Sequence, residues 1–160
     1  MKRLAFILIL FAIVAGCTDP LADTALKQEE NIEKLISSKY SDAEVRFNEG
    51  VNRILLEAGD STCFAAKGDV VVFEYTAAPF TTSIGDPYAG GEYTTRLGDG
   101  ELIRGLEMGL EGMCPGEHSY IIFSCKYGYD KSVAGIGQDQ ALAFEVLMKE
   151  INPDNEENNQ

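Results

Sequence analysis

Basic residues are scarce in this chain: 13 Lys and Arg stand against 26 Asp and Glu, for a net charge of −13 over 160 residues. Such a surface repels nucleic acid and anionic lipid headgroups, which excludes a phosphate-tracking groove and a polybasic membrane patch. Histidine is rarer still. His118, the only one, opens a β-rich segment with no serine or cysteine partner at readable spacing, so it reads as a surface residue. Neither GxGxxG nor GxxxxGK occurs, which removes the phosphate-binding loops. Clusters with metal-ligand spacing are missing too, so no metal and no cofactor is expected. Without a CxxC pair there is no thiol redox motif. The apolar run Leu4 to Val14 has eleven residues, too few to cross a bilayer as a mature helix.

That run follows Lys2 and Arg3 and leads into Val14-Ala15-Gly16-Cys17. A basic start, an apolar stretch and small residues directly before a cysteine resemble the signal and lipobox of bacterial lipoproteins. The alternative is an ordinary secretory signal with an incidental cysteine. The resemblance implies removal of residues 1–16 and lipid on Cys17, each buried CH₂ contributing about 0.8 kcal/mol of membrane affinity. Thr18, rather than aspartate, after the cysteine favours the outer membrane, on its periplasmic side. The lipid, not a basic patch, is then what holds the protein at the membrane.

The remaining 144 residues suit one domain with a real core. Residues 17–49 read as a tether followed by an amphipathic helix over Thr24 to Lys39, with Leu26, Ile32, Leu35 and Ile36 as its apolar positions. Its many glutamates leave two options, a helix packed on the domain or a solvated stalk. Residues 50–151 change texture to short β-rich segments: Val51 to Glu57, Val70 to Tyr75, Tyr93 to Leu97, His118 to Ser124 and Leu142 to Ile151. Between the third and fourth, Ile103, Leu106, Leu110 and Met113 recur at helical spacing, and Gly112 and Cys114-Pro115-Gly116 stop the helix. Strands with few crossover helices predict an α+β fold, an antiparallel sheet with a short helix packed on one face. Residues 152–160, NPDNEENNQ, carry almost no apolar side chain and are expected to be a disordered acidic tail.

Four segments in order, GDSTCFAAKGDVVVFEYTA from Gly59, GELIRGLEMGLEGMCPGE, KYGYD and GIGQDQALAFEV, together resemble the FKBP-type peptidyl-prolyl isomerases over about one hundred residues. The resemblance implies a five-stranded antiparallel half-barrel wrapped around one short helix, with a proline pocket between them. Tyr75 matches a wall aromatic and Tyr93 a second one. Glu101, Leu102 and Ile103 match the segment before the helix, where the Ile103 amide donates to a bound carbonyl. Leu106 takes the floor position where many members have tryptophan, a residue this chain lacks entirely. Tyr127 matches the tyrosine whose hydroxyl bonds the ligand, with Tyr129 as the alternative. Ile136 and Phe144 match residues that close the pocket.

The family's Phe-Asp pair has no clean copy. A gapless count from Tyr75 puts Gly85-Asp86 there, keeping Asp86 as the acid, with Ile84 or Phe80 supplying the apolar part. The paired prolines that many members carry after the Ile136 position are also missing. Of Cys63, Cys114 and Cys125, sequence alone allows three pairings. The family topology brings the turns of the first two near one end of the sheet, which implies a Cys63–Cys114 bridge. Cys125 reads as a passive buried thiol.

Isomerisation needs no nucleophile or metal. An apolar cup edged by Tyr75, Tyr93 and Phe144, with donors at Ile103 and Tyr127, is the equipment it requires. The expected partners are proline-containing polypeptides of the envelope, bound by a monomer. The competing expectation is a binding or chaperone module that keeps the pocket and isomerises poorly, which the incomplete Phe-Asp pair and Leu106 favour.

Overall fold

The computed structural model describes residues 19–133 and 135–153. The signal segment, Cys17 and residues 154–160 of the tail lie outside them. Asp19 caps the first helix, α1 (Pro20–Lys39): its carboxylate accepts from the Leu21 N–H at 3.0 Å, and Pro20 supplies the preset φ of a first helical residue. The helix therefore begins earlier than its apolar periodicity suggested. Among the described residues no helix is long and apolar enough to cross a membrane.

Six strands follow: β1 (Val45–Asn48), β2 (Val51–Glu57), β3 (Val70–Phe80), β4 (Ala89–Arg96), β5 (His118–Phe123) and β6 (Ala141–Ile151), with helix α2 (Arg104–Leu110) between β4 and β5. They form one antiparallel sheet in the order β1-β2-β5-β6-β3-β4. Among the described residues the expected count of five strands becomes six. The missing strand, β1, is an edge strand of four residues, three of them exposed and Phe47 70% so, and its Val45-Arg46-Phe47-Asn48 alternation is too short to mark a strand in the sequence. It hairpins onto β2 through Glu49-Gly50, both at positive φ (48° and 103°), the geometry that matches strand twist in a two-residue turn.

The sheet buries both faces. On the inner face, Phe73, Ile121, Phe123, Phe144, Val146 and Met148 pack against Leu106, Leu110 and Met113 of the α2 segment. Close approach is possible because α2 carries glycine where it meets the sheet. A Cβ at Gly105 would fall 2.5 Å from the Phe123 ring, and one at Gly109 2.2 Å from Ile121 Cγ2. On the outer face, Ile32 and Leu35 of α1 pack with Ile54, Phe80, Ile122, Ala141 and Ala143. The N-terminal helix is thus part of the domain, not a stalk. Leu26, read as one of its packing positions, is 64% exposed, and Ala25 is buried in its stead.

A buried charge holds α2 in place. Arg53 of β2 donates from Nη1 to the Gly109 and Glu111 carbonyls at 2.8 and 2.7 Å, and from Nη2 to the Gly112 carbonyl at 3.1 Å. A helix C-terminus leaves such carbonyls without partners, and a cation there also opposes the helix dipole favourably. Glu117 balances the charge: its Oε1 lies 3.2 Å from Arg53 Nε, a charge contact without a hydrogen bond, and both side chains are almost fully buried. Glu117 in turn accepts from the Ser119 hydroxyl at 2.9 Å and the Cys114 N–H at 3.3 Å. Burial pushes the Arg53 guanidinium down from its ordinary value, opposed by the Glu117 carboxylate.

The expected Cys63–Cys114 bridge is not present; Cys63, Cys114 and Cys125 are all free thiols. Cys114 is buried with its Sγ 3.7 Å from Glu117 Oε2, whereas Cys63 is exposed in the 58–69 loop. That loop reaches the α2 turn by backbone pairing instead, Ala65 N–H to Met113 O at 2.8 Å and Gly112 N–H to Ala65 O at 2.7 Å. Asn152, assigned to the tail by composition, is held by the domain. Its Oδ1 accepts from Val70 N–H at 2.9 Å and its amide donates to Asp69 at 2.8 Å.

Removing one member of the buried pair leaves an uncompensated charge in the core. Arg53→Met is expected to lower unfolding free energy by about 3–5 kcal/mol in urea titration. The double variant Arg53→Met/Glu117→Leu should recover a large part of that loss. A double variant no more stable than Arg53→Met would show that the pair is not the source.

Candidate active site

β3 places Phe73, Tyr75 and Ala77 on the inner face by simple alternation. β4 lies antiparallel with Phe73 opposite Tyr93, and β6 with Ala77 opposite Phe144. The segment before α2 then runs across the opening between these strands and the helix. The result is a cavity of about 170 Å³ lined by Tyr75, Tyr93, Leu102, Ile103, Leu106 and Phe144, together with Glu101, Tyr129, Phe73, Ala77 and Ala89. Leu106 and Phe144 are buried at its base, while Tyr93 at its lip is 39% exposed. Ring centroids 6.0 Å (Phe73–Tyr75), 6.1 Å (Phe73–Tyr93) and 6.1 Å (Tyr75–Phe144) apart lie within the favourable range for aromatic pairs. Phe123 stacks under Phe144 at 5.9 Å and backs the cavity from the sheet side.

Three polar groups face or edge this apolar space. The N–H of Ile103, the residue capping α2, has no acceptor among the described residues, while its carbonyl accepts from Glu107 N–H at 3.1 Å. The Glu101 carboxylate is held by the Thr95 hydroxyl at 2.7 Å. The Tyr129 hydroxyl lies 3.4 Å from that of Tyr88. Burial, and after it the Tyr129 hydroxyl, raises the Tyr88 phenol above its ordinary value, so the Tyr88 hydroxyl stays neutral. Among the described residues no group of His, Cys, Asp and Glu is arranged to hold a metal.

A cavity of this size suits a single ring, since drug-sized ligands occupy roughly 300–1,000 Å³. Its lining offers apolar walls, an unpaired amide, a tyrosine hydroxyl and a carboxylate tied to Thr95. Such a site can bind a ring and grip a carbonyl. Residues 62–149 match the family described as FKBP-type peptidyl-prolyl cis-trans isomerase. The chain belongs to that family. It is 38% identical over 88 residues to human peptidyl-prolyl cis-trans isomerase FKBP10, covering 52% of this chain and 15% of the human protein. FK506-binding protein 1 of Yarrowia lipolytica is 31% identical over 110 residues, which take in 64% of this chain and 99% of that protein. The crystal structure of FkpA from Escherichia coli matches the fold with a TM-score of 0.66 at 25% identity, over 83% of this chain and 61% of FkpA. The α+β, FKBP-like architecture expected from the sequence is therefore the observed one, with a sixth strand added.

Four expected site residues stand elsewhere than on the FKBP pocket lining. Tyr127 is 2% exposed, and its hydroxyl donates to the Glu49 carbonyl in the β1–β2 turn. Its ring fills the space a Cβ at Gly50 would need, 2.9 Å from Cε2, with Arg104 and Lys126 over its face at 5.4 and 5.0 Å. Tyr129, the alternative, lines the cavity. The short 3₁₀ turn Cys125–Tyr127 ends at the first of the two tyrosines and leaves no strand periodicity across them, so spacing alone does not choose between them. Asp86 is exposed and absent from the lining, because the loop folds back on β3: Gly85 N–H donates to Pro79 O and Tyr88 N–H to Ala77 O, both at 2.9 Å. Ile84 bridges to Phe80 and packs with it on the outer face against the α1 cluster. Ile136 sits in a tight turn paired to Val133 and packs against the inner core without reaching the cavity.

Phe73 and Ala77 were missed, although their positions two residues either side of Tyr75 put them on its face. Ala89 carried no signal, being a small residue at the start of an edge strand. The two tyrosines give opposite expectations. Tyr129→Phe should weaken binding of a proline-containing peptide several-fold with little change in stability. Tyr127→Phe should cost about 1 kcal/mol of stability and leave that affinity intact. Peptide titration and urea unfolding of both variants measure the difference, and an affinity loss confined to Tyr127→Phe would return the ligand hydroxyl to that residue.

Proposed function

We propose that this protein catalyses cis-trans isomerisation of X-Pro bonds in polypeptides. The observation that carries the reading is the coincidence of a ring-sized apolar cavity with an unpaired N–H at Ile103 on its edge. Amide resonance sets a rotation barrier of ~18–20 kcal/mol for a peptide bond. Twisting the bond breaks that resonance, and the carbonyl oxygen leaves the plane in which the ground state held it. Phe144, Leu106, Tyr75 and Tyr93 hold the proline ring and exclude water. The Ile103 N–H and the Tyr129 hydroxyl bind the carbonyl more strongly in its twisted form. Only contacts that strengthen on twisting speed the reaction. Glu101, tied down by Thr95, borders the site as a fixed acceptor for a substrate N–H.

A second reading is a binding module that keeps the pocket without much catalysis. Leu106 offers less floor than an aromatic side chain, and Asp86 stands away from the cavity. A proline-peptide isomerisation assay separates the two. The expected result is a rate above the uncatalysed background that falls about tenfold or more in Phe144→Ala and is blocked by FK506, a ligand named in the titles of relatives. Binding of the peptide with no rate above background would leave the binding module standing.

The setting we propose is the bacterial envelope, with lipid on Cys17 anchoring a monomer on the periplasmic side of the outer membrane and envelope proteins as substrates. The sequence Val14-Ala15-Gly16-Cys17 supports it. Labelled palmitate should enter the wild-type protein and not Cys17→Ser; equal labelling of both, or none in either, would remove the anchor.

A further inference from the structure

A larger cavity, about 540 Å³, lies beside the ring-sized one. It is a groove between α1 and the Cys125–Asp130 segment, with Leu21, Ala22, Ala25 and Leu26 on one wall and Cys125 and Tyr129 on the other. Leu21 and Leu26 are 40% and 64% exposed, an apolar edge that nothing among the described residues covers. Both walls are pinned. The Cys125 N–H donates to Gln28 Oε1 at 2.8 Å, the Ser124 hydroxyl to Glu29 at 3.0 Å, and the Gln28 amide to the Asp139 carbonyl at 2.6 Å. The groove is therefore preformed, and it does not depend on α1 shifting to open it.

Two observations say what it takes. Tyr129 lines this groove and the ring-sized cavity alike, so the two spaces lie one side chain apart, within reach of a single extended chain. The charged groups on its walls are three carboxylates, Asp19, Glu29 and Asp130, against the single ammonium of Lys126. We propose that the groove holds the apolar residues flanking the proline of an unfolded polypeptide, with preference for a lysine or arginine beside them. This rests on the isomerase reading for the seat of the proline. The groove then acts on affinity rather than on chemistry, because its contacts are the same in the planar and the twisted states. It makes this protein select prolines in exposed apolar stretches, which an unfolded chain presents and a folded one hides.

The test compares a short proline peptide with a longer one carrying leucines and a lysine beside the same proline, using the full-length chain. The longer peptide is expected to show a KM about tenfold lower at equal kcat, the scale of one buried apolar side chain. Leu26→Asp and the groove-filling Ala22→Trp should each abolish that advantage and leave turnover of the short peptide unchanged. Equal KM for the two peptides, or an advantage that survives both variants, overturns the proposal. If neither peptide is isomerised the catalytic reading fails, and anisotropy with a proline-free version of the long peptide decides the groove alone: binding weakened about tenfold in Leu26→Asp supports it, and no binding sinks it. Two other occupants give distinct and contrary results. A second copy of the chain would sediment as a dimer that Leu26→Asp dissociates. An acyl chain on Cys17 would block the proline-free peptide in lipidated protein and admit it in Cys17→Ser.

Discussion

The cavity exists only while α2 stays at a fixed height above the sheet, and that height is set by Arg53. A seven-residue helix is too short to be stable by propensity, so it must borrow stability from its surroundings. Two glycines let it descend onto Phe123 and Ile121, which brings Leu106 and Leu110 into the core. Descent alone would bury its last carbonyls without partners. The Arg53 guanidinium reaches up from β2 to the carbonyls of Gly109, Glu111 and Gly112 at and just past the helix end, and Glu117, the residue before β5, neutralises it. Cavity base, helix end and sheet are joined through one buried cation. A shift of that guanidinium would move Leu106 and, through α2, the Ile103 amide together.

Much of this was legible in the sequence, for reasons that also mark where legibility stops. Tyr75, Tyr93 and Phe144 stand in strands, where alternation tells which face a residue takes, and Leu106 stands at helical spacing from Ile103, Leu110 and Met113. Counting fails where the backbone is irregular. Between Phe123 and Ala141 the chain makes a 3₁₀ turn and a small hairpin at Val133–Ile136, so neither Tyr127 nor Ile136 could be placed by spacing. The far end of β3 defeats the count differently. Ala77, Ala78 and Phe80 are all buried because α1 covers the outer face, and a strand buried on both faces shows no alternation to read. Ile84 and Phe80 belonged to that outer cluster while looking, by position in the sequence, like pocket residues.

The buried thiols follow the same division between chemistry that composition allows and chemistry that packing permits. Parity among three cysteines invited a bridge, yet Cys114 sits against Glu117 within the Arg53 network and Cys63 lies exposed on the loop above. Cys125 is buried under α1, and that burial raises its thiol pKa above the ordinary value, with the Asp139 carboxylate adding to the shift. A thiol held protonated is a poor nucleophile, so it serves as wall material for the groove and not as a redox centre.

The absence of an aromatic floor bears on rate only through what the floor does. An aromatic side chain beneath a proline ring contributes area and a flat surface, both of which act on the ring in either isomer and so lower KM more than they raise kcat. Rate depends instead on groups that meet the carbonyl as it leaves the amide plane. In the proposed mechanism those groups are the Ile103 N–H and the Tyr129 hydroxyl, whose 3.4 Å contact with Tyr88 is long enough to exchange for a shorter one to substrate. On the proposed reading, leucine at 106 weakens the hold on proline more than it weakens the turnover. A neighbouring groove that binds the flanking residues would restore the lost hold, and it would do so only for chains extended enough to reach it.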